Sequence, residues 1–158
     1  MLRTSLAVFL LLGAAPSCPD LYSVAAHGFV VPTLSARGAL GAPAQGGLRV
    51  TVDFAADNPN NFPLTVSGVD YALAVEGTPV FAGSRDGVSV QEHGTGALEL
   101  SGVIDTQSGV LRRLRPGQSA AYLLTGTVHV ATPAGVPVDV EFSTPGAFLV
   151  PGGLPASR

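Results

Sequence analysis

From Leu48 the chain alternates with a period of two. Leu48, Val50, Val52, Phe54 and Ala56 fall on one face, and Arg49, Thr51, Asp53, Ala55 and Asp57 on the other. Successive side chains of a strand point to opposite faces, so this alternation predicts a half-buried strand. Asn58-Pro59-Asn60-Asn61 ends it, because Pro fixes φ and lacks an N–H, while Asn tolerates left-handed φ. Apolar positions resume at Phe62, Leu64 and Val66. Ser67-Gly68 breaks the phase and predicts a bulge, after which Val69, Tyr71, Leu73 and Val75 alternate against Asp70, Ala72, Ala74 and Glu76. Gly77-Thr78 turns the chain into a strand at Pro79–Gly83.

Weaker patterns flank this region. Phe29, Val30, Val31 and Leu34 predict a first strand within Gly28–Ser35, at a sheet edge because Pro32 cannot donate to a ladder. Ala39–Gly47 reads as a loop. Val88–Glu92 and Ala97–Ile104 are short strands. Asp105–Gln118 lacks β alternation; Val110, Leu111 and Leu114 have helical spacing, so one short helix is predicted before Pro116-Gly117. Ala120–Val130 is a strand with Tyr122, Leu124, Gly126, Val128 and Val130 on one face and Thr125, Thr127 and His129 on the other. After the loop Ala131–Gly135, Val136, Val138, Val140 and Phe142 point inward on the return strand, and Phe148–Val150 forms a last edge strand. About six to eight short strands, turn signals between them and at most one short helix predict an all-β, antiparallel β-sandwich.

Composition narrows the class. Hydrophobic residues make up 46% of the 158 and charged residues 12%, too apolar for disorder and too poor in charge for a coiled coil. The chain has no Lys and a net charge of -3, so the basic footprint of a nucleic-acid binder is missing. Its single Cys excludes an internal disulfide and a multi-cysteine metal site.

That Cys lies in an N-terminal segment of another kind. Arg3 precedes an apolar run, Leu6–Leu12, which is extended by Gly13, Ala14 and Ala15 and is too short to span a bilayer. The pattern is that of a secretory signal peptide. Ala15-Pro16-Ser17-Cys18 resembles the lipobox of bacterial lipoproteins, whose Cys becomes the lipidated first residue. Ordinary cleavage near Ala15 or Ser17, releasing a soluble secreted chain, is the other reading. The first gives a lipid-anchored envelope protein attached to the membrane through Cys18.

Catalytic patterns are missing. There is no Gly-x-Ser-x-Gly, His-Glu-x-x-His or phosphate loop, and Gly94-Thr95-Gly96 has Glu99 where a dinucleotide fingerprint needs its third Gly. His27, His93 and His129 each stand alone in sequence, so no metal site is assigned, and His129 reads as a solvated strand residue. Asp53 and Asp57 read as a solvated face near Arg49. Arg112-Arg113-Leu114-Arg115 is the one charge cluster; it fits either a solubilising loop or contact with anionic headgroups or an acidic partner.

The run Val50–Tyr71, with Asn58-Pro59-Asn60, then Phe62-Pro63-Leu64, then Gly68-Val69-Asp70-Tyr71-Ala72-Leu73, resembles the late embryogenesis abundant type 2 family, which contains the water stress and hypersensitive response domain. Gly83 after the next hairpin, the Tyr122-x-x-x-Gly126-Thr127-Val128 strand and the Thr132-Pro133-Ala134-Gly135 turn agree, so the resemblance covers about Gly47–Pro151. It implies a fibronectin type III-like or immunoglobulin-like sandwich without catalysis or cofactor. It also implies a part in desiccation or stress protection, or a binding module for lipid or another apolar ligand, held in a groove between the sheets. The family residues Asn58, Pro59, Asn60, Phe62, Tyr71, Tyr122 and Gly126 are expected to be structural: the Asn side chains cap their own turn and Tyr71 packs in the core. The expected organisation is a signal peptide at 1–17, an Ala/Gly/Pro-rich lead-in at 18–46, the sandwich at 47–151 and a tail at 152–158.

Overall fold

A computed structural model of the chain describes residues 28–152. Eight strands follow one another: β1 (Thr33–Ala44), β2 (Gly47–Asp57), β3 (Leu64–Val75), β4 (Thr78–Asp86), β5 (Ser89–Val90), β6 (Thr95–Asp105), β7 (Ser119–Ala131) and β8 (Pro137–Leu149). They form two antiparallel sheets, one ordered β1-β2-β6 and the other β4-β3-β7-β8, with β5 added to the start of β3. This is the predicted β-sandwich. Cys18 and His27, and with them the signal-peptide reading, lie outside the described residues.

The alternation that predicts β2, β3 and β7 gives their buried faces. Leu48, Val50, Val52 and Phe54 of β2 meet Val69, Leu73, Val75, Leu124 and Val128 of the opposite sheet in one core cluster. Phe54 and Phe142 fill the space between the sheets, ring centroids 4.6 Å apart. The phase break at Ser67-Gly68 is a register shift between Val66 and Gly68 where β3 pairs with β7, the predicted bulge. Without it, Leu64 and Tyr71, an odd number of residues apart, could not both face the core.

Four elements differ from the sequence reading. First, β1 begins after Pro32 and runs through the stretch read as a loop, pairing with β2 from Thr33↔Asp57 to Ala44↔Gly47. A register shift between Ala36 and Gly38 puts its two halves out of phase, and Ala, Gly and Pro carry little hydrophobic contrast. Pro43 is tolerated because β1 is an edge strand.

Second, Asp105–Gln118 contains turns and no helix. Asp105 accepts a bond from the Gln107 N–H (2.6 Å), and the Arg113 and Leu114 amides both donate to the Val110 carbonyl (2.9 and 3.2 Å). Pro116 follows before a second turn can form, and one isolated turn does not propagate. The helical spacing of Val110, Leu111 and Leu114 serves instead as a buried plug at the end of the sandwich. Third, β4 extends to Asp86 and β5 shrinks to two residues. Fourth, Phe148 belongs to one 13-residue β8 rather than to a separate strand. Pro137 and Pro145 sit in it because β8 is also an edge, and Gly146 leaves room for the Tyr122 ring beside it.

Candidate functional site

The family residues converge at one end of the sandwich and in its core. Asn58 and Asn60 follow β2 and are both buried, each 3% exposed. Asn58 Nδ2 donates to the Phe62 carbonyl (2.8 Å) and the Gln91 carbonyl (3.0 Å), with a longer approach to the Val90 carbonyl (3.4 Å). Its Oδ1 accepts from the Asn60 backbone N–H and from Asn60 Nδ2, both at 2.9 Å. Asn60 in turn holds Val30 at both backbone groups: Nδ2 donates to its carbonyl (2.8 Å) and Oδ1 accepts its N–H (2.7 Å). The Asn58 N–H donates to the Gly94 carbonyl (2.9 Å) and the His93 N–H to the Asn60 carbonyl (3.1 Å).

Two amides therefore tie three chain segments together, at Val30, the Asn58–Phe62 turn and Val90–Gln91, far beyond the local turn cap expected from sequence. All donors and acceptors of both side chains are used, which fixes the orientation of each amide. Pro59 is exposed at the apex and Phe62 is half-buried, its carbonyl serving Asn58. Gly94-Thr95-Gly96 also belongs to this construction: Gly94 receives Asn58, and Gly96 pairs with Ala56 in the β2–β6 ladder.

Tyr71 faces the core as expected, but its hydroxyl crosses to the other sheet and donates to the Ser101 carbonyl of β6 (2.9 Å). Its ring meets Phe81 edge-on, centroids 6.4 Å apart. Opposite Tyr71 in the β3–β7 ladder is Gly126, where a β-carbon would overlap the Asp70 carbonyl and come within 2.8 Å of Phe142 Cζ. Tyr122 is buried, and that burial raises its phenol pKa above the ordinary value. Asn58, Asn60, Tyr71, Tyr122 and Gly126 thus occupy framework positions.

The sequence reading missed a charged constellation on the outer face of the β3–β7–β8 sheet. His129 stands between two carboxylates, Nδ1 2.8 Å from Asp139 and Nε2 3.1 Å from Asp70. The hairpin register that pairs Ala131 with Pro137 also pairs His129 with Asp139, so half of this triad was derivable from the loop between them. Asp70 depends on the bulged β3–β7 register, which local pattern does not supply. Asp57, read as a bare surface carboxylate, pairs with Arg37 (3.3 Å) and accepts from the Thr95 hydroxyl. Among the described residues, no group of three or more His, Cys, Asp or Glu is arranged to hold a metal ion.

Carboxylates at both ring nitrogens favour the imidazolium, which alone has two N–H donors. The hydrogen bond to Asp139, then that to Asp70, raises the His129 pKa against a smaller opposing effect of desolvation. A pKa raised by folding means that the stabilisation is complete below the unfolded value of 6.5 and is lost as pH rises through the folded one. Relative to a His129→Gln variant, the wild-type melting temperature should therefore fall across that window as pH increases. Parallel melting profiles for the two proteins would contradict the triad.

Beside these framework positions is a cleft of about 710 Å³ where the β4 and β6 edges of the two sheets face each other, lined by Ser67, Val69, Arg85, Asp86, Val88 and Leu98 among others. The family model for late embryogenesis abundant protein matches residues 53–144, more than half of the chain. Among solved structures, the chain is similar to an Arabidopsis thaliana protein determined in solution, at 14% identity and a TM-score of 0.66, covering 79% of this chain and 85% of that one. It is also similar to a late embryogenesis abundant protein determined in solution, at 14% identity and a TM-score of 0.63, covering 84% and 80%. A crystal structure from Archaeoglobus fulgidus shares 16% identity and a TM-score of 0.51, covering 75% and 98%. No curated protein matches the sequence. These likenesses carry the fold, and the family match, with its Asn58–Asn60 and Tyr71 framework in place, carries the identity: the chain belongs to the late embryogenesis abundant type 2 family.

Proposed function

We propose that this protein is a non-enzymatic lipoprotein of the cell envelope whose sandwich acts in desiccation or stress protection. The observation that carries the reading is the family match over 53–144 on a sandwich whose characteristic Asn residues hold the fold together. A protective domain has to outlast conditions that unfold its neighbours, and an internally satisfied polar staple resists loss of bulk water better than a solvent-dependent turn does. The test is the recovery of a labile marker enzyme dried with this protein or with an equal mass of an unrelated β-sandwich. Equal recovery in the two mixtures defeats the protective role.

Cys18 is the anchor in this reading. A diacylated N-terminus holds the membrane by burying CH₂ groups at about 0.8 kcal/mol each. Cys18→Ala should abolish the acyl mass of the mature chain and move the protein from the membrane to the soluble fraction. A wild-type chain without acyl mass, or a Cys18→Ala chain still membrane-bound, overturns the lipoprotein assignment.

The cleft at the β4–β6 seam favours a second reading, a carrier of lipid or another apolar ligand. Val88 and Leu98, both half-buried, supply apolar wall, and Arg85 supplies a charged group for a polar head. Mass spectrometry of lipids co-purifying with the protein distinguishes the two: a stoichiometric lipid that Leu98→Arg expels supports the carrier, and a lipid-free protein removes it.

A further inference from the structure

The two ends of the sandwich differ in charge. One end carries the Asn58–Asn60 staple and the β7–β8 hairpin, and the half of the molecule around it holds eight of the ten described carboxylates, with Arg37 and Arg85. The half around the opposite end holds the four remaining arginines, Arg49, Arg112, Arg113 and Arg115, against Glu76 and Asp105. Both of those acids are occupied locally: Glu76 accepts the Ala121 N–H (2.7 Å) and Asp105 the Gln107 N–H (2.6 Å). Among the described residues, Arg37 is the one arginine in an ion pair. Arg112, Arg113 and Arg115 are exposed around the plug of Val110, Leu111 and Leu114, and the nearest recorded tie is from Arg113 to the Thr78 hydroxyl (3.2 Å).

Exposed leucines border the same end. Leu149 is 64% exposed in the segment where the Gly117 N–H reaches the Val150 carbonyl, and Leu40, 67% exposed, precedes the glycine that packs on Leu149. We infer that this end is a docking surface for an anionic lipid bilayer. Cations without carboxylate partners gain from a negatively charged surface. Leucines at the rim gain from shallow insertion into the interface. The acidic half is repelled, which orients the molecule with its arginines down.

The test measures partition of the mature chain, residues 18–158, carrying Cys18→Ala so that neither an acyl chain nor the apolar leader contributes, into phosphatidylcholine vesicles with and without phosphatidylglycerol. Partition should be stronger with the anionic lipid and should weaken as salt shortens the Debye length. Each arginine near an anionic surface contributes about fivefold, so Arg112→Gln with Arg115→Gln should weaken anionic partition roughly 25-fold, without affecting the neutral vesicles. That double variant keeps Arg113 and its Thr78 bond, and an unchanged melting temperature shows that the fold is intact. Equal partition into both vesicles, no binding to either, or a double variant that binds like the parent overturns the proposal; the last two results leave room for an acidic protein as the partner.

Discussion

Asn58→Ala should lower the unfolding free energy by about 3–4 kcal/mol, well beyond the cost of an ordinary turn cap. The substitution removes the donor that serves the Phe62 and Gln91 carbonyls and the acceptor that serves two Asn60 N–H groups. Asn58 is 3% exposed, so water has little access to replace it. A buried polar group left without a partner costs about 1–3 kcal/mol, and two or more are orphaned here. For a domain of this size, the loss corresponds to a fall in melting temperature of about 10 °C or more. Asn60→Ala should do less, because it frees Val30 and one edge of the Asn58 amide but leaves the bonds to Phe62 and Gln91. Amide exchange at Val30 should accelerate in both variants, ahead of global unfolding. An Asn58→Ala protein that retains its melting temperature but loses protective activity would move the motif from framework to functional surface.

The reach of sequence reasoning follows from where each interaction is closed. β2 and β7 were legible because the apolar positions of each alternate without interruption, although Ala55 on the other face of β2 is buried as well. Asn58 was legible as a turn residue because Asn-Pro-Asn is turn chemistry in any context. Its partners at Val90 and Gln91 were not, because they sit 32 and 33 residues away on a loop without a pattern of its own. β1 escaped because an edge strand of Ala, Gly and Pro pairs mainly through its backbone, and backbone pairing leaves no side-chain signature. Val110, Leu111 and Leu114 illustrate the converse error: helical spacing over five residues also describes a turn folded back onto a core, and Pro116 decides between them. His129 does lie on the solvated face, but its two carboxylate partners were not legible, because they appear only when the strands on both sides of it are registered.

Tyr71 is where the two sheets are joined by a hydrogen bond as well as by packing, and its two substitutions should separate those contributions. Tyr71→Phe keeps the ring against Phe81 and removes only the bond from its hydroxyl to the Ser101 carbonyl. A buried bond of this kind contributes about 1 kcal/mol, and the orphaned carbonyl raises the loss toward about 2. Tyr71→Ala also removes the ring and leaves a cavity between β3 and β6, with an expected loss of about 3–5 kcal/mol. Gly126 limits repair from the same sheet, because any larger residue there would overlap the Asp70 carbonyl. Collapse of neighbouring side chains into the space should therefore be incomplete, which places Tyr71→Ala in the upper part of that range. Chemical denaturation of the three proteins measures both steps. If Tyr71→Phe and Tyr71→Ala lose equal stability, the hydroxyl bond rather than the ring is what holds the sheets at this point. If Tyr71→Phe costs nothing, the carbonyl of Ser101 has found water, and the ring's packing accounts for the whole effect.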